Sequence, residues 1–143
     1  MNDVSGYNTC HNLALRRGTR QLTRLYDAHL APAGLTISQF SILSVIDNHP
    51  EIRVAELGDI MVMERTTLLR NLKPMQTEGW VMSAKSDGER AHVFSLTAEG
   101  KARLDQAVPL WLEAQAAFEA KMGPDRASRL RDDNLAVGAI DAL

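Results

Sequence analysis

The chain holds a single cysteine, Cys10, among its 143 residues. No internal disulfide is possible, which fits a reducing cytosol. Aromatic residues supply only 5 % of the sequence, so the core has to come from Leu, Val, Ile, Met and Ala. No apolar run approaches the ~18 residues that a membrane span needs. The opening MNDVSGYNTCHN has no basic-then-apolar design, which predicts no signal peptide and a cytoplasmic protein away from membranes. His11, His29, His49 and His92 are scattered and show no zinc-binding spacing. There is no glycine-rich phosphate loop, and nothing suggests a nucleophile with its base. Neither an enzyme nor a metal or cofactor is expected. An excess of one charge is missing too, since the net charge is −2. Any case for an anionic partner must be local.

What is present is an ordinary globular composition, 45 % hydrophobic and 24 % charged, in a length that suits one domain over 1–143. Residues 11–31 read as a helix with Leu15, Leu22, Leu25, Tyr26 and Leu30 on one side. APAG at 31–34 stops it. TISQ is a capping-box signature, Thr36 with Gln39, opening a helix over 36–47 with Ile37, Phe40, Leu43 and Ile46 facing inward. NHPE at 48–51 breaks the chain. A short helix over 54–61, anchored by Leu57, Ile60 and Met61, leads into a helix over 64–78 that Gly79 ends. Two strands follow, 80–85 and 91–96, joined by SDGER with Asp87-Gly88 as its turn. Thr97 caps a long helix carrying Leu104, Val108, Trp111, Phe118 and Met122 on one stripe, with a bend expected at Pro109. Gly123-Pro124 ends it and starts a last helix, apolar at Leu130, Val137 and Ile140. The predicted fold is mainly α with a small β-hairpin (α+β). It is a winged helix-turn-helix over 36–100, flanked by helices in 1–31 and 105–143 whose natural job is dimerisation.

The helix over 64–78 has two faces. Leu68, Leu72 and Met75 share one, with Leu69 at its margin. Thr66, Thr67, Arg70, Lys73, Pro74 and Thr77 share the other, with no acid between Glu64 and Glu78. That face suits a major groove: Arg pairs with guanine, Thr offers a hydroxyl or methyl, and Lys reaches phosphate. Pro74 removes only the bond back to Arg70, beyond the turns expected to meet bases. A plain amphipathic surface helix accounts for these residues as well. The hairpin tips the balance toward DNA, because Lys85, Arg90 and His92 surround its turn, although Asp87 and Glu89 offset them.

LAPAGLTISQFSIL (30–43), VAELGDIMVMERTTLLRNLKPMQTEGWV (54–81) and ERAHVFSLTAEGKARL (89–104), in this order and spacing, resemble the MarR (multiple antibiotic resistance regulator) family of transcription factors. The resemblance implies a winged-helix homodimer on a pseudo-palindromic double-stranded DNA operator, most often a repressor. It makes Arg65, Thr66, Thr67, Arg70, Asn71 and Lys73 the candidate DNA contacts and Arg90 the wing arginine, beside Lys85, Asp87 and His92. Gly88 stands where the family usually carries an acid. Dimerisation would fall to roughly 4–20 and 125–143, with Leu130, Leu135, Val137, Ile140 and Leu143 at the interface.

The resemblance also implies a small aromatic or phenolic acid bound between the dimerisation helices and the winged lobe. Arg17, Arg20 and Arg24 form a helical stripe with Arg16 beside it, and no acid lies between Asp3 and Asp27. This is either an anion site or a solvated face paired with acids such as Asp132 and Asp133. Phe40 and Trp111 line a pocket or belong to the core. Cys10 raises redox sensing, since a peroxide-sensing branch carries a cysteine near this point, aligned with Asn12. The plainer reading is an inert thiol. A winged-helix module that binds only protein is a further alternative.

Overall fold

The computed structural model describes residues 6–85 and 92–141. Asp87 and Arg90 at the hairpin tip, and Leu143, lie outside the described residues. After a 3-10 turn at Tyr7–Thr9, α1 runs His11–Leu30. A 3-10 turn at Ala31–Ala33 then leads to α2, Ile37–Asn48. The expected capping box is formed: Gln39 N–H donates to Thr36 Oγ1 at 3.2 Å, and the Thr36 N–H donates to Gln39 Oε1 at 3.0 Å. Such a cap contributes about 1 kcal/mol.

Next come β1 (Ile52–Arg53), α3 (Val54–Met61) and α4 (Arg65–Thr77). Then follow β2 (Val81–Lys85), β3 (His92–Leu96), α5 (Ala98–Met122) and α6 (Pro124–Gly138). The hairpin is part of a three-stranded antiparallel sheet in the order β1-β3-β2. Ile52 pairs with Phe94 and Arg53 with Val93 on one side of β3, while Val81 through Lys85 pair with Leu96 through His92 on the other. The fold is the winged helix-turn-helix expected from the sequence, with one extra strand.

The core lies between the helix-turn-helix and α5. Leu30, Ile42, Leu43, Ile46, Leu57, Leu68, Leu72 and Met75 are its fully buried side chains. Among the described residues no polar or charged side chain is buried. Two expected core positions turn out exposed. Ile60 is 47 % exposed, because α3 is two turns long and presents Leu57 and Gly58 inward. Val108 is 38 % exposed, because the buried seam of α5 runs through Leu104, Ala107 and Ala114, one position off Val108. Those alanines let α1 pack close to α5. Pro109 is exposed, and α5 stays helical through it.

Candidate nucleic-acid interface

The turn between α3 and α4 is closed by Met63 N–H donating to the Gly58 carbonyl at 2.9 Å. Val62 adopts the left-handed conformation there, at φ 52°. The turn sets α4 on the core with Leu68, Leu72 and Met75 fully buried, while Leu69 at the margin is 39 % exposed. Its outer face carries Arg65, Thr66, Thr67, Arg70 and Lys73, all exposed. Among the described residues none of Arg65, Arg70 and Lys73 makes an ion pair or hydrogen bond. Asn71 is half-buried, and its Nδ2 donates to the Thr67 carbonyl at 2.8 Å, so its Oδ1 remains as an acceptor. Pro74 does not interrupt the helix, and its carbonyl accepts from Glu78 N–H at 2.9 Å.

The wing continues from α4. Gly79 takes φ 79° and turns the chain into Trp80, whose N–H donates to the Met75 carbonyl at 2.9 Å. Lys85 and His92 face each other in register at the far end of the hairpin, both exposed. The near end is pinned by Thr97, whose N–H donates to the Trp80 carbonyl at 3.0 Å and whose hydroxyl donates to the Gly79 carbonyl. The same hydroxyl caps α5 by accepting from Gly100 N–H at 3.0 Å. Arg103 sits over the Trp80 ring, 5.1 Å from its centroid, and donates to the Ala33 carbonyl at 3.0 Å. Arg103 thus ties the α1–α2 connection to the wing base. Nothing in "GKARL" marks it for that role, since its partners come from distant segments. Lys101 bonds Asp47 at 2.9 Å and Asp105 at 3.2 Å, which raises its pKa and holds α5 against α2.

The residues put forward for a ligand do not converge. From His11 to Gln21 every residue of α1 except Leu13 is exposed, and Arg16, Arg17 and Arg20 lie on this projecting half. Arg17 donates to Asn8 Oδ1 at 3.1 Å. No pairing of the arginines with Asp132 or Asp133 occurs among the described residues. Phe40 is buried and stacks on Trp111 at 5.7 Å with the rings 18° apart. Two cavities flank α1, one of about 340 Å³ against α5 and α6, the other of about 320 Å³ against Ile37 and Trp111. They share Leu22 and Tyr26, and Arg16, Arg17 and Arg20 line neither.

The polar groups of the larger cavity escaped the sequence reading. The Tyr26 hydroxyl donates to Gln115 Oε1. Burial raises the Tyr26 pKa, nearby Glu119 raises it further, and Arg131 opposes them. These residues come from α1, α5 and α6, and only the folded packing brings them together. Cys10 is exposed at the N-cap of α1, where its Sγ accepts from Leu13 N–H at 3.4 Å. In α6 and just beyond it, Leu130, Leu135, Val137 and Ile140 are 38, 66, 47 and 63 % exposed. Among the described residues no group of three or more His, Cys, Asp or Glu is placed to hold a metal. No single helix there is long and apolar enough to cross a membrane.

Comparison with known proteins adds an independent line. The sequence model of the MarR family matches residues 35–93. The M. tuberculosis transcriptional regulator MosR in complex with DNA superposes with a TM-score of 0.81 at 40 % identity, covering 90 % of this chain and 93 % of that one. The organic hydroperoxide resistance transcriptional regulator of Bacillus subtilis (strain 168) is 27 % identical over 97 residues, 67 % of this chain and 66 % of its own length. CouR from Rhodococcus jostii RHA1 bound to p-coumaroyl-CoA shares the fold, with a TM-score of 0.79 at 15 % identity over 96 % of this chain and 98 % of that one.

Proposed function

This chain belongs to the MarR family and is a DNA-binding transcriptional regulator, and we propose that it works in the cytoplasm as a homodimeric repressor released by a small aromatic or phenolic anion. The observation that carries the reading is the outer face of α4. Arg65, Arg70 and Lys73 stand there without an acidic partner, on a helix whose opposite side is locked into the core. Arg70 is positioned to pair with a base edge, Thr66 and Thr67 offer hydroxyls and methyls, and Lys73 reaches phosphate. Lys85 and His92 extend the same contact along the wing, together with Asp87 and Arg90 at its tip.

The dimer is supported by α6 and the projecting half of α1, whose exposed apolar side chains have no cover within the chain. Leu15, Leu112, Leu135 and Ile140 are too many and too large for an isolated surface. A two-fold dimer through these helices sets two copies of α4 on successive major grooves, about one helical turn apart. The aligned M. tuberculosis MosR is itself recorded in complex with DNA.

Genome-wide mapping of bound DNA locates the operator, and a salt titration on that operator tests the contact. The logarithm of affinity should fall with the logarithm of salt at about −0.9 per phosphate contact. Undetectable binding to any duplex at low salt sinks the regulator reading and favours a protein-interaction module.

A second reading rests on Cys10, which is exposed at a helix N-terminus, where thiolates are stabilised. The B. subtilis relative named for organic hydroperoxide resistance points the same way. In this reading peroxide, in place of a small anion, releases the operator.

A further inference from the structure

The larger cavity beside Tyr26 combines an apolar body with unused charge. Its volume of about 340 Å³ lies within the range of small-molecule sites, which begins near ~300 Å³. Leu22, Phe118 and Ala127 supply apolar wall, and Gln115, Glu119 and Arg131 supply polar groups from two helices. Gln115 Oε1 is already taken by the Tyr26 hydroxyl, which leaves the Gln115 amide nitrogen as a donor. Arg131 donates to Ser128 Oγ at 3.3 Å and has no carboxylate within ion-pair distance among the described residues. Glu119 makes no ion pair there either. Both charges lie close enough to the Tyr26 hydroxyl to act on its acidity, in opposite directions.

A cavity with an unpaired cation and an unpaired acceptor on an apolar wall calls for a ligand that satisfies both. A second copy of the chain fits it less well, because the buried centre of a protein interface is depleted of charge. We propose that the cavity between α1, α5 and α6 binds a small hydroxyaromatic acid. Its ring lies against Leu22 and Phe118, its carboxylate on Arg131, and its hydroxyl donates to Glu119. The inference rests on the ligand-released regulator reading and names the site that serves it. That site is distinct from the arginine stripe of α1. It also has a physical route to the DNA-binding lobe. Tyr26 and Leu22 separate it from the second cavity, against Ile37 and Trp111. One turn along α1, Asp27 Oδ1 accepts from Ile37 N–H at 2.8 Å, tying α1 to the start of α2.

Calorimetric titration of the full chain without DNA tests this with 4-hydroxybenzoate, benzoate and 4-hydroxybenzyl alcohol, alongside operator release by the same compounds. 4-Hydroxybenzoate should bind tightest, and loss of either polar group should weaken binding about tenfold or more. Arg131→Gln, at an exposed position that leaves the core intact, should weaken the two acids similarly and leave the alcohol unchanged. Glu119→Gln should reduce the preference for 4-hydroxybenzoate over benzoate. Equal affinity of wild type and Arg131→Gln for the acids overturns the site. So does failure of all three probes to bind, and protection of Arg131 and Leu135 from hydrogen exchange on dimerisation then assigns the space to a second copy. Intact operator binding in the same series leaves the regulator reading standing when the site fails. Loss of operator binding by wild type would strike that reading itself.

Discussion

The carbonyl carbon of Trp80 stands 2.8 Å from the place a Cβ on Gly100 would occupy. The first turn of α5 therefore lies directly on the residue that begins the wing, with backbone against backbone. Flexible side chains can yield to a new methyl group, but here the obstacle is main chain on both sides. Gly100→Ala should cost about 3 kcal/mol or more, the upper range for overpacking. Urea unfolding followed by circular dichroism gives the value, and a loss below 1 kcal/mol would show that the two elements separate easily.

Arg70 has no partner in the protein, so removing it should leave the fold alone. Arg70→Ala should weaken operator binding by about 1–3 kcal/mol with an unchanged melting temperature. Electrophoretic shifts at one salt concentration compare the two proteins. An unchanged midpoint takes Arg70 off the contact surface.

Tyr26 links α1 to α5 through a hydrogen bond that its ring alone cannot make. Tyr26→Phe should cost about 1 kcal/mol, because Gln115 Oε1 loses its donor. The folded protein also holds the phenolic proton more tightly than the unfolded chain does. Stability from this source is complete below the ordinary tyrosine pKa of about 10 and is lost as pH rises through the higher folded value. The stability difference between wild type and Tyr26→Phe should therefore shrink above about pH 10. Lys101, whose pKa is also raised, titrates alike in both proteins and cancels. Denaturant curves across this range measure the difference, and a constant gap would place the alkaline loss elsewhere.

Cys10 decides between the two modes of release. The chain contains no second cysteine to pair with it. With a small anion as the sole signal, wild type and Cys10→Ser should hold the operator equally well in peroxide. Release of wild type alone would establish the thiol as the sensor.

Most helices were legible because their ends carry local chemistry. Thr36 with Gln39, Thr97, Gly79 and Gly123-Pro124 all act through neighbours within a turn, and the structure ends or starts a helix at each. β1 was not legible, since Ile52 and Arg53 become a strand only through Phe94 and Val93. Ile60 misled for a related reason. On a two-turn helix an apolar residue has no repeat to define the inner face, and the close approach of Gly58 to the Met63 carbonyl chose it instead. The outer face of α4 could be read from spacing alone. The Tyr26 cavity could not, because its charges lie on separate helices and only packing selects Glu119 and Arg131 from many exposed acids and arginines.

The strand β1 also shapes how the chain folds. β2 and β3 are joined locally and can pair early, as hairpins do, whereas Ile52 must find Phe94 across all of α3, α4 and β2. The loop closed by that pairing encloses the entire recognition helix. Orientation of α4 and completion of the wing are thus two outcomes of one ring closure. Mutations that weaken the Ile52–Phe94 pair should slow the appearance of DNA-binding competence without slowing the collapse of α1, α2 and α5.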